Sequence, residues 1–165
     1  MQQLDPKRST WHITFGTYGA RLHGGDRPTV ERPGSRPGDP FVGEDQSRER
    51  FIKTTMLAEP VVLTLEQRAF IEEALPAICT RGGWTFRACA AQPDHVHVLL
   101  DADRHVHGEK VRRLIKRWLT QEMNRHWLSV DGARWWAEQG SNRAIRDLEY
   151  LNRAYEYLQR QRTRT

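Results

Sequence analysis

The most informative segment of this 165-residue sequence reads Pro93-Asp94-His95-Val96-His97-Val98-Leu99-Leu100. Polar and apolar residues alternate along it, which is typical of a strand with two different faces. Side chains two positions apart on a strand point the same way, so His95 and His97 should project together. Val96 and Val98 should project from the other face, where helices can pack. Two neighbouring imidazoles can bind one divalent cation, although paired surface histidines on a half-exposed strand would show the same pattern.

The sequence before this segment predicts a second strand behind a helix. Residues 84–90 alternate, with the apolar side chains from Trp84 to Ala90 expected on one side, and a turn at 92–94 completes a hairpin. Upstream, Thr64 and Gln67 have the spacing of a capping box, and Gly82-Gly83 ends the helix that follows. Cys79 and Cys89 lack the spacing of a structural zinc site, so we expect both in the core.

The remaining periodic segments complete the fold prediction. Residues 11–18 alternate as a first strand, and residues 109–127 have the apolar spacing of an amphipathic helix. A fourth strand is expected to open at 135–137, and a last helix to run from about 145 to 160. The order β-α-β-β-α-β-α predicts an α+β protein with a ferredoxin-like split βαβ arrangement. Its sheet should be antiparallel, with two helices on one face and an extra C-terminal helix.

Composition and length indicate one domain that spans residues 1–165. Apolar residues make up 38% and charged residues 28%, which excludes collagen-like, wholly disordered and membrane-spanning proteins. A loop insertion is expected at about 19–50, because this range holds six of the twelve glycines and four of the eight prolines. A short helix is expected to follow at 46–56. The N-terminal sequence has no apolar segment typical of a signal peptide, so we expect a cytoplasmic protein.

Positive charge is concentrated in one part of the chain. The formal net charge is +5, and residues 104–125 alone carry seven basic and two acidic groups. A localised basic stripe suits a polyanion such as nucleic acid, although a solvated helix face would look the same. The candidate phosphate contacts on this helix and on the C-terminal tail are Arg112, Arg113, Lys116, Arg117 and Arg160.

The C-terminal helix offers a candidate third ligand. A cation on two histidines still needs a third ligand, and Tyr157 and Gln161 lie four residues apart on one helix face. A phenol and an amide oxygen could therefore meet the two imidazoles. The same pattern would also be shown by an ordinary half-buried tyrosine at 157 and a solvated glutamine at 161.

A histidine–hydrophobe–histidine strand, a basic amphipathic helix and a late Tyr-x-x-x-Gln helix follow one another in this chain. In this combination it resembles the single-tyrosine HUH transposases of bacterial insertion sequences and the REP-associated tyrosine transposases. Segments 11–19, 21–24 and 134–137, together with Gly140-Ser141, also look like a bacterial branch of this group.

The resemblance implies a metal-dependent transposase and endonuclease that cleaves and rejoins single-stranded DNA. Tyr157 would attack a phosphate and form a 5′-phosphotyrosine, while His95, His97 and Gln161 would hold Mg²⁺ or Mn²⁺. As the nucleophile we rank Tyr155 behind Tyr157 because it shares a stripe with packed leucines, and we rank Tyr150 last because it lies two helical turns earlier. It also implies a homodimer that recognises a hairpin or palindromic repeat end beside the cleavage site, and a protein bound to the bacterial nucleoid when engaged with DNA.

Three other interpretations stay open from the sequence. The same fold supports non-catalytic modules that bind single-stranded nucleic acid, although the strands lack the paired exposed aromatics of RNA-recognition domains. Replication initiators and relaxases share the histidine pair but are usually larger. A host-adopted nuclease that processes REP-like repeats would carry the same site residues.

Overall fold

A computed structural model of the chain describes residues 2–19, 59–127 and 134–163. Within these ranges lie four strands and three helices: β1 (Arg8–Thr17), α1 (Leu65–Arg81), β2 (Thr85–Ala91), β3 (His95–Asp103), α2 (Gly108–His126), β4 (Trp136–Ile145) and α3 (Leu148–Gln161). The predicted element order is confirmed. The expected loop insertion and the short helix at 46–56 lie almost entirely outside the described residues.

The four strands form one antiparallel sheet in the order β2-β3-β1-β4. This order is that of the predicted split βαβ arrangement, because β1 and β3 lie side by side in the centre and the crossovers carry α1 and α2. The central position of β1 and β3 matters for function, since it places side chains from both strands in one cross-strand row.

Helices α1 and α2 cover one face of the sheet and build the larger core. Ile13, Phe15, Val96, Val98 and Leu100 from the two central strands are completely buried there. The predicted capping box starts α1: Gln67 N–H donates to Thr64 Oγ1 at 3.2 Å, and Thr64 N–H donates to Gln67 Oε1 at 2.9 Å. This helix ends at Arg81, as predicted, and Gly83 then turns the chain with φ +71°.

The opposite face of the sheet is covered in part by α3. Leu151, Ala154 and Leu158 of this helix pack against Ala88, Ala90 and Leu99 of the sheet. The prediction that Trp84, Phe86, Ala88 and Ala90 share one face is therefore wrong. The pairing of β2 with β3 shifts between Phe86 and Ala88, and this irregularity moves the two alanines to the α3 side.

Several strand and helix ends differ from the sequence prediction because hydrogen bonds of polar side chains set them. Strands β1 and β3 extend to Arg8 and Asp103, beyond the alternating apolar segments. Their added pairs are held by polar side chains, since Thr10 Oγ1 donates to Asp101 Oδ1 at 2.7 Å and Arg87 Nε donates to the same oxygen at 2.8 Å. Helix α3 begins later than expected because Asp147 caps it, accepting from Glu149 N–H at 2.8 Å.

The two cysteines lie in the core, as expected. Burial raises the pKa of both the Cys79 and the Cys89 thiol to about 12. Such thiols are inert at neutral pH. No helix in the described parts of the chain has the length and apolar character needed to cross a membrane.

Candidate active site

The α3 face of the sheet carries a row of polar side chains across β3, β1 and β4. His95 and His97 project there from β3, and their ring centroids lie 4.8 Å apart. Thr14 of β1 pairs with His97, and Ser141 of β4 pairs with Thr14 on its other side. The two predicted histidines are thus brought together on the face that α1 and α2 leave open.

His95 is oriented by the residue before it. Its Nδ1 lies 2.6 Å from Asp94 Oδ1, and both side chains are largely buried. A carboxylate at Nδ1 favours the tautomer that is protonated on this nitrogen. The lone pair then resides on Nε2, which is the form that a metal ligand requires.

His97 has a comparable arrangement built from β1. Its Nδ1 lies 2.9 Å from Thr14 Oγ1 and 3.2 Å from His12 Nε2. If Nδ1–H donates to these groups, the lone pair of His97 also resides on Nε2. His97 therefore has neighbours that can accept from Nδ1–H, which is compatible with the tautomer that Asp94 favours in His95.

His12 joins this site to the start of α3. Its Nδ1 lies 3.2 Å from the Tyr150 hydroxyl, so a chain of polar contacts runs from Tyr150 through His12 to His97. Burial and, to a smaller extent, the nearby Arg143 guanidinium lower the pKa of His12. The neutral imidazole is therefore favoured at neutral pH, with one nitrogen to donate and one to accept.

Sequence reasoning did not assign His12 and Thr14 to the site. The alternation of residues 11–18 does place both on one face of β1. Their approach to His97, however, depends on the pairing register of β1 with β3, which are separated by more than 75 residues. The local pattern can therefore place His12 and Thr14 on one face of a strand, but it cannot show which strand lies beside them.

Of the three tyrosines on α3, Tyr157 is the one whose ring lies beside His97. Its ring centroid is 6.0 Å from that of His97, and 41% of the residue is exposed. Tyr155 packs against the buried residues between α3 and the sheet, and the Tyr150 hydroxyl contacts the His12 ring. Tyr157 thus combines proximity to the histidines with access from solvent.

Gln161 lies one helical turn beyond Tyr157, at the end of α3. Its backbone carbonyl accepts a hydrogen bond from Gln92 Nε2 at 2.7 Å, which ties this end of the helix to the turn before β3. Among the described residues, no three His, Cys, Asp or Glu side chains form a metal-binding group. A cation at the histidine pair would therefore need a ligand of another type, and an amide oxygen is one.

The basic residues predicted to contact DNA occupy different surroundings. Arg113, Arg117 and Arg160 are exposed. Arg112 is instead 7% exposed and donates to Asn142 Oδ1 at 2.5 Å, while Lys116 Nζ donates to the carbonyls of Ala137 and Glu138.

Burial between α2 and β4 explains this division of the basic residues. Gly140 makes the close approach possible, because a Cβ there would lie 2.8 Å from Arg112 Cδ. Burial and, to a smaller extent, Arg112 lower the pKa of Lys116. The expected basic stripe is therefore not one continuous open face of α2.

Comparison with known proteins identifies the sequence family. The sequence model of the family described as IS200-like transposase matches residues 52–161, which is two-thirds of the chain. No curated protein sequence matches the chain.

Two solved structures are similar over most of the chain. One is a REP-associated tyrosine transposase bound to a REP hairpin, with 12% identity, a TM-score of 0.49, and coverage of 96% of this chain and 68% of that one. The other is a candidate transposase from Deinococcus radiodurans, with 14% identity, a TM-score of 0.48, and coverage of 99% and 100%.

Proposed function

Because the chain belongs to the IS200-like transposase family, we propose that it cleaves and rejoins single-stranded DNA through a 5′-phosphotyrosine on Tyr157. The observation that carries this proposal is the position of the exposed Tyr157 ring, 6.0 Å from His97 and on the same sheet face as His95. A nucleophile and a pair of imidazoles on one open face are what phosphodiester cleavage by this route requires.

In the proposed reaction, the phenolate oxygen of Tyr157 attacks the phosphorus atom of a DNA phosphodiester. A bond forms between that oxygen and phosphorus, and the bond from phosphorus to the 3′ oxygen breaks. The 3′ oxygen takes up a proton and leaves as a hydroxyl group. Since one ester replaces another, a 3′ hydroxyl can later attack the phosphotyrosine and restore the strand without an added energy source.

The residues proposed to hold the divalent cation are His95, His97 and Gln161. Imidazole nitrogens suit Mn²⁺, and an amide oxygen suits both Mn²⁺ and Mg²⁺. A bound cation would polarise the phosphate and stabilise the charge that develops during attack. Asp94 supports this assignment because its carboxylate favours the metal-binding tautomer of His95, and the contacts of Thr14 and His12 with His97 Nδ1 are compatible with the same tautomer of His97.

The proposed substrate is single-stranded DNA beside a hairpin or palindromic repeat end. The exposed Arg113, Arg117 and Arg160 are the best candidates for phosphate contacts. For Arg112 and Lys116 we propose an indirect role, in which they keep α2 against β4. The family resemblance is also the basis for proposing that the protein acts as a homodimer.

A nicking assay tests this proposal. An end-labelled DNA hairpin with single-stranded flanks is incubated with the protein and Mn²⁺. Wild-type protein should nick one flank, while His97→Ala should abolish nicking and leave hairpin binding nearly unchanged. His105→Ala is the matched control, because His105 is exposed in the turn after β3, away from the histidine pair.

Two outcomes would contradict the proposal. Wild-type protein that binds the hairpin but never nicks it would indicate a non-catalytic binding module. Nicking by His97→Ala at the wild-type rate would remove the metal-site assignment.

A further inference from the structure

A basic depression lies at the junction of β4 and α3. It has a volume of about 280 Å³, just below the usual size range of small-molecule sites. Three arginines line it together with one tyrosine and one acidic residue: Arg143, Arg146, Arg153, Tyr150 and Asp147. None of these arginines was part of the predicted DNA-binding set.

The depression is connected to the catalytic face by direct contacts. Arg143 pairs with His12 across the β1–β4 ladder, so both side chains belong to the same sheet face. The Arg143 guanidinium lies 4.3 Å from the centre of the Tyr150 ring, and the Tyr150 hydroxyl is 3.2 Å from His12 Nδ1. On its other side, His12 Nε2 lies 3.2 Å from His97 Nδ1.

The charges of the depression favour an anion. Among the described residues that line it, three are arginines and one, Asp147, is acidic; Asp147 caps α3 by accepting from Glu149 N–H. Glu149 pairs with Arg153 at 3.5 Å, but both side chains are more than 60% exposed, so water and salt weaken this pair. The N-terminal end of α3 adds a partial positive charge at the same place.

The Arg143–Tyr150 pair adds a flat surface to this charge. Planar guanidinium and aromatic groups are surfaces on which nucleic-acid bases stack, and arginines in the same groove hold the adjacent phosphates. A phosphate beside a base occurs once per nucleotide in a single strand. Stacked, paired bases inside a duplex do not offer their faces in this way.

We propose that the depression formed by Arg143, Arg146, Arg153 and Tyr150 binds one nucleotide of the single strand that flanks the scissile phosphate. The inference rests on the proposed function and assigns a substrate subsite to it. Tyr150 and Tyr157 are seven residues apart on α3, which is about 10 Å along the helix axis. One extended strand can therefore occupy the depression while its neighbouring phosphate lies at Tyr157.

The test measures binding without metal, so that it does not depend on cleavage. A fluorescent hairpin with a single-stranded flank and the same hairpin without a flank are titrated in EDTA over a series of salt concentrations. The variant is the double substitution Arg143→Gln with Arg153→Gln. The control is Arg125→Gln, since Arg125 is exposed on α2, which covers the other face of the sheet.

The double variant should bind the flanked hairpin about tenfold more weakly than wild type and should bind the unflanked hairpin equally well. Loss of one phosphate contact to a single strand should also lower the salt slope by about 0.7. Arg125→Gln should change neither affinity. Unchanged binding of the flanked hairpin would overturn the proposal, and equal weakening for both hairpins would mean that the depression holds the duplex stem instead.

Nicking by wild-type protein separates failure of this inference from failure of the proposed function. If wild type nicks the flanked hairpin and the double variant binds it normally, only the subsite is wrong. If wild type neither nicks nor distinguishes the two hairpins, the proposed function itself is wrong.

Discussion

The ring of His97 is held by two neighbours from β1, and one of them can be removed with little change in shape. Thr14→Val replaces the hydroxyl that lies 2.9 Å from His97 Nδ1. We expect Mn²⁺ affinity to fall about tenfold or more, because groups that orient metal-binding histidines typically contribute 10–100-fold. Isothermal titration of Mn²⁺ into the DNA-free protein measures this directly, and nicking should recover at saturating Mn²⁺.

The control for this prediction lies on the same strand and the same face. Thr10→Val removes the buried hydroxyl that donates to Asp101, so it should lower thermal stability without changing Mn²⁺ affinity. Equal Mn²⁺ affinities in wild type and Thr14→Val would mean that Thr14 does not position His97.

Single residues also show which parts of the candidate site could be predicted from the sequence. The pairing of His95 with His97 follows from a local period of two, which any strand imposes. The contributions of His12 and Thr14 do not, because they depend on a register between distant strands. Arg112 likewise belongs to the polar part of the α2 pattern, yet it is buried against Asn142 because β4 has Gly140 at the point of contact.

At the level of elements, α3 is anchored where it carries the candidate nucleophile. Beyond its last turn, Thr163 N–H donates to both carboxylate oxygens of Glu72, at 3.0 and 3.1 Å. Glu72 is 3% exposed and also accepts from Ala91 N–H at 2.9 Å. One buried carboxylate on α1 therefore holds β2 and the end of the tyrosine helix together.

Glu72→Gln should loosen this anchor, since it replaces a carboxylate oxygen by an NH₂ group, which cannot accept from Thr163 N–H and carries no charge to pair with Arg162. A buried donor left without its acceptor costs about 1–3 kcal/mol, which lowers the melting temperature by roughly 2–4 °C per kcal/mol for a chain of this size. Hydrogen exchange should become faster in the peptide that contains Tyr157. Glu73→Gln is the matched control on the exposed side of the same helix. Equal exchange in both variants would contradict the anchoring role.

The order of strands and helices was predictable because periodicity and capping residues act over a few neighbouring positions. Once the order of elements along the chain is known, the split βαβ topology gives the order of strands in the sheet. The irregularity in β2 was not predictable, because alternation continues through it in sequence while the pairing shifts in space. It turns Ala88 and Ala90 towards α3 and so creates the surface on which the tyrosine helix packs.

Across the whole molecule, basic residues flank the edge strand β4 from both faces of the sheet. Arg112 and Lys116 of α2 contact β4 on one side, with Arg113 and Arg117 exposed beyond them, and Arg143 lies on the other side. A hairpin stem near α2 could thus continue around the β4 edge as a single strand that reaches the histidine face.

Charge reversal on α2 tests this path. Arg113→Glu should weaken binding of flanked and unflanked hairpins alike, because the stem is common to both, and should lower the salt slope by about 0.9 for each duplex phosphate lost. Nicking at saturating DNA should be nearly unchanged. Lys7→Glu makes the same change in net charge at the exposed turn before β1 and should have little effect. Similar salt slopes for wild type and Arg113→Glu would exclude α2 from the DNA interface.

The assignment of Tyr157 as the nucleophile is most directly tested by trapping the covalent adduct and locating it. Wild-type protein, Tyr157→Phe and Tyr155→Phe are each incubated with a labelled flanked hairpin and Mn²⁺, denatured, digested and examined by mass spectrometry. The wild-type and Tyr155→Phe proteins should each yield a nucleotide-linked peptide modified at Tyr157, and Tyr157→Phe, which keeps the ring and loses only the attacking oxygen, should yield none. An adduct that persists in Tyr157→Phe and is absent from Tyr155→Phe would contradict the account and move the nucleophile to Tyr155.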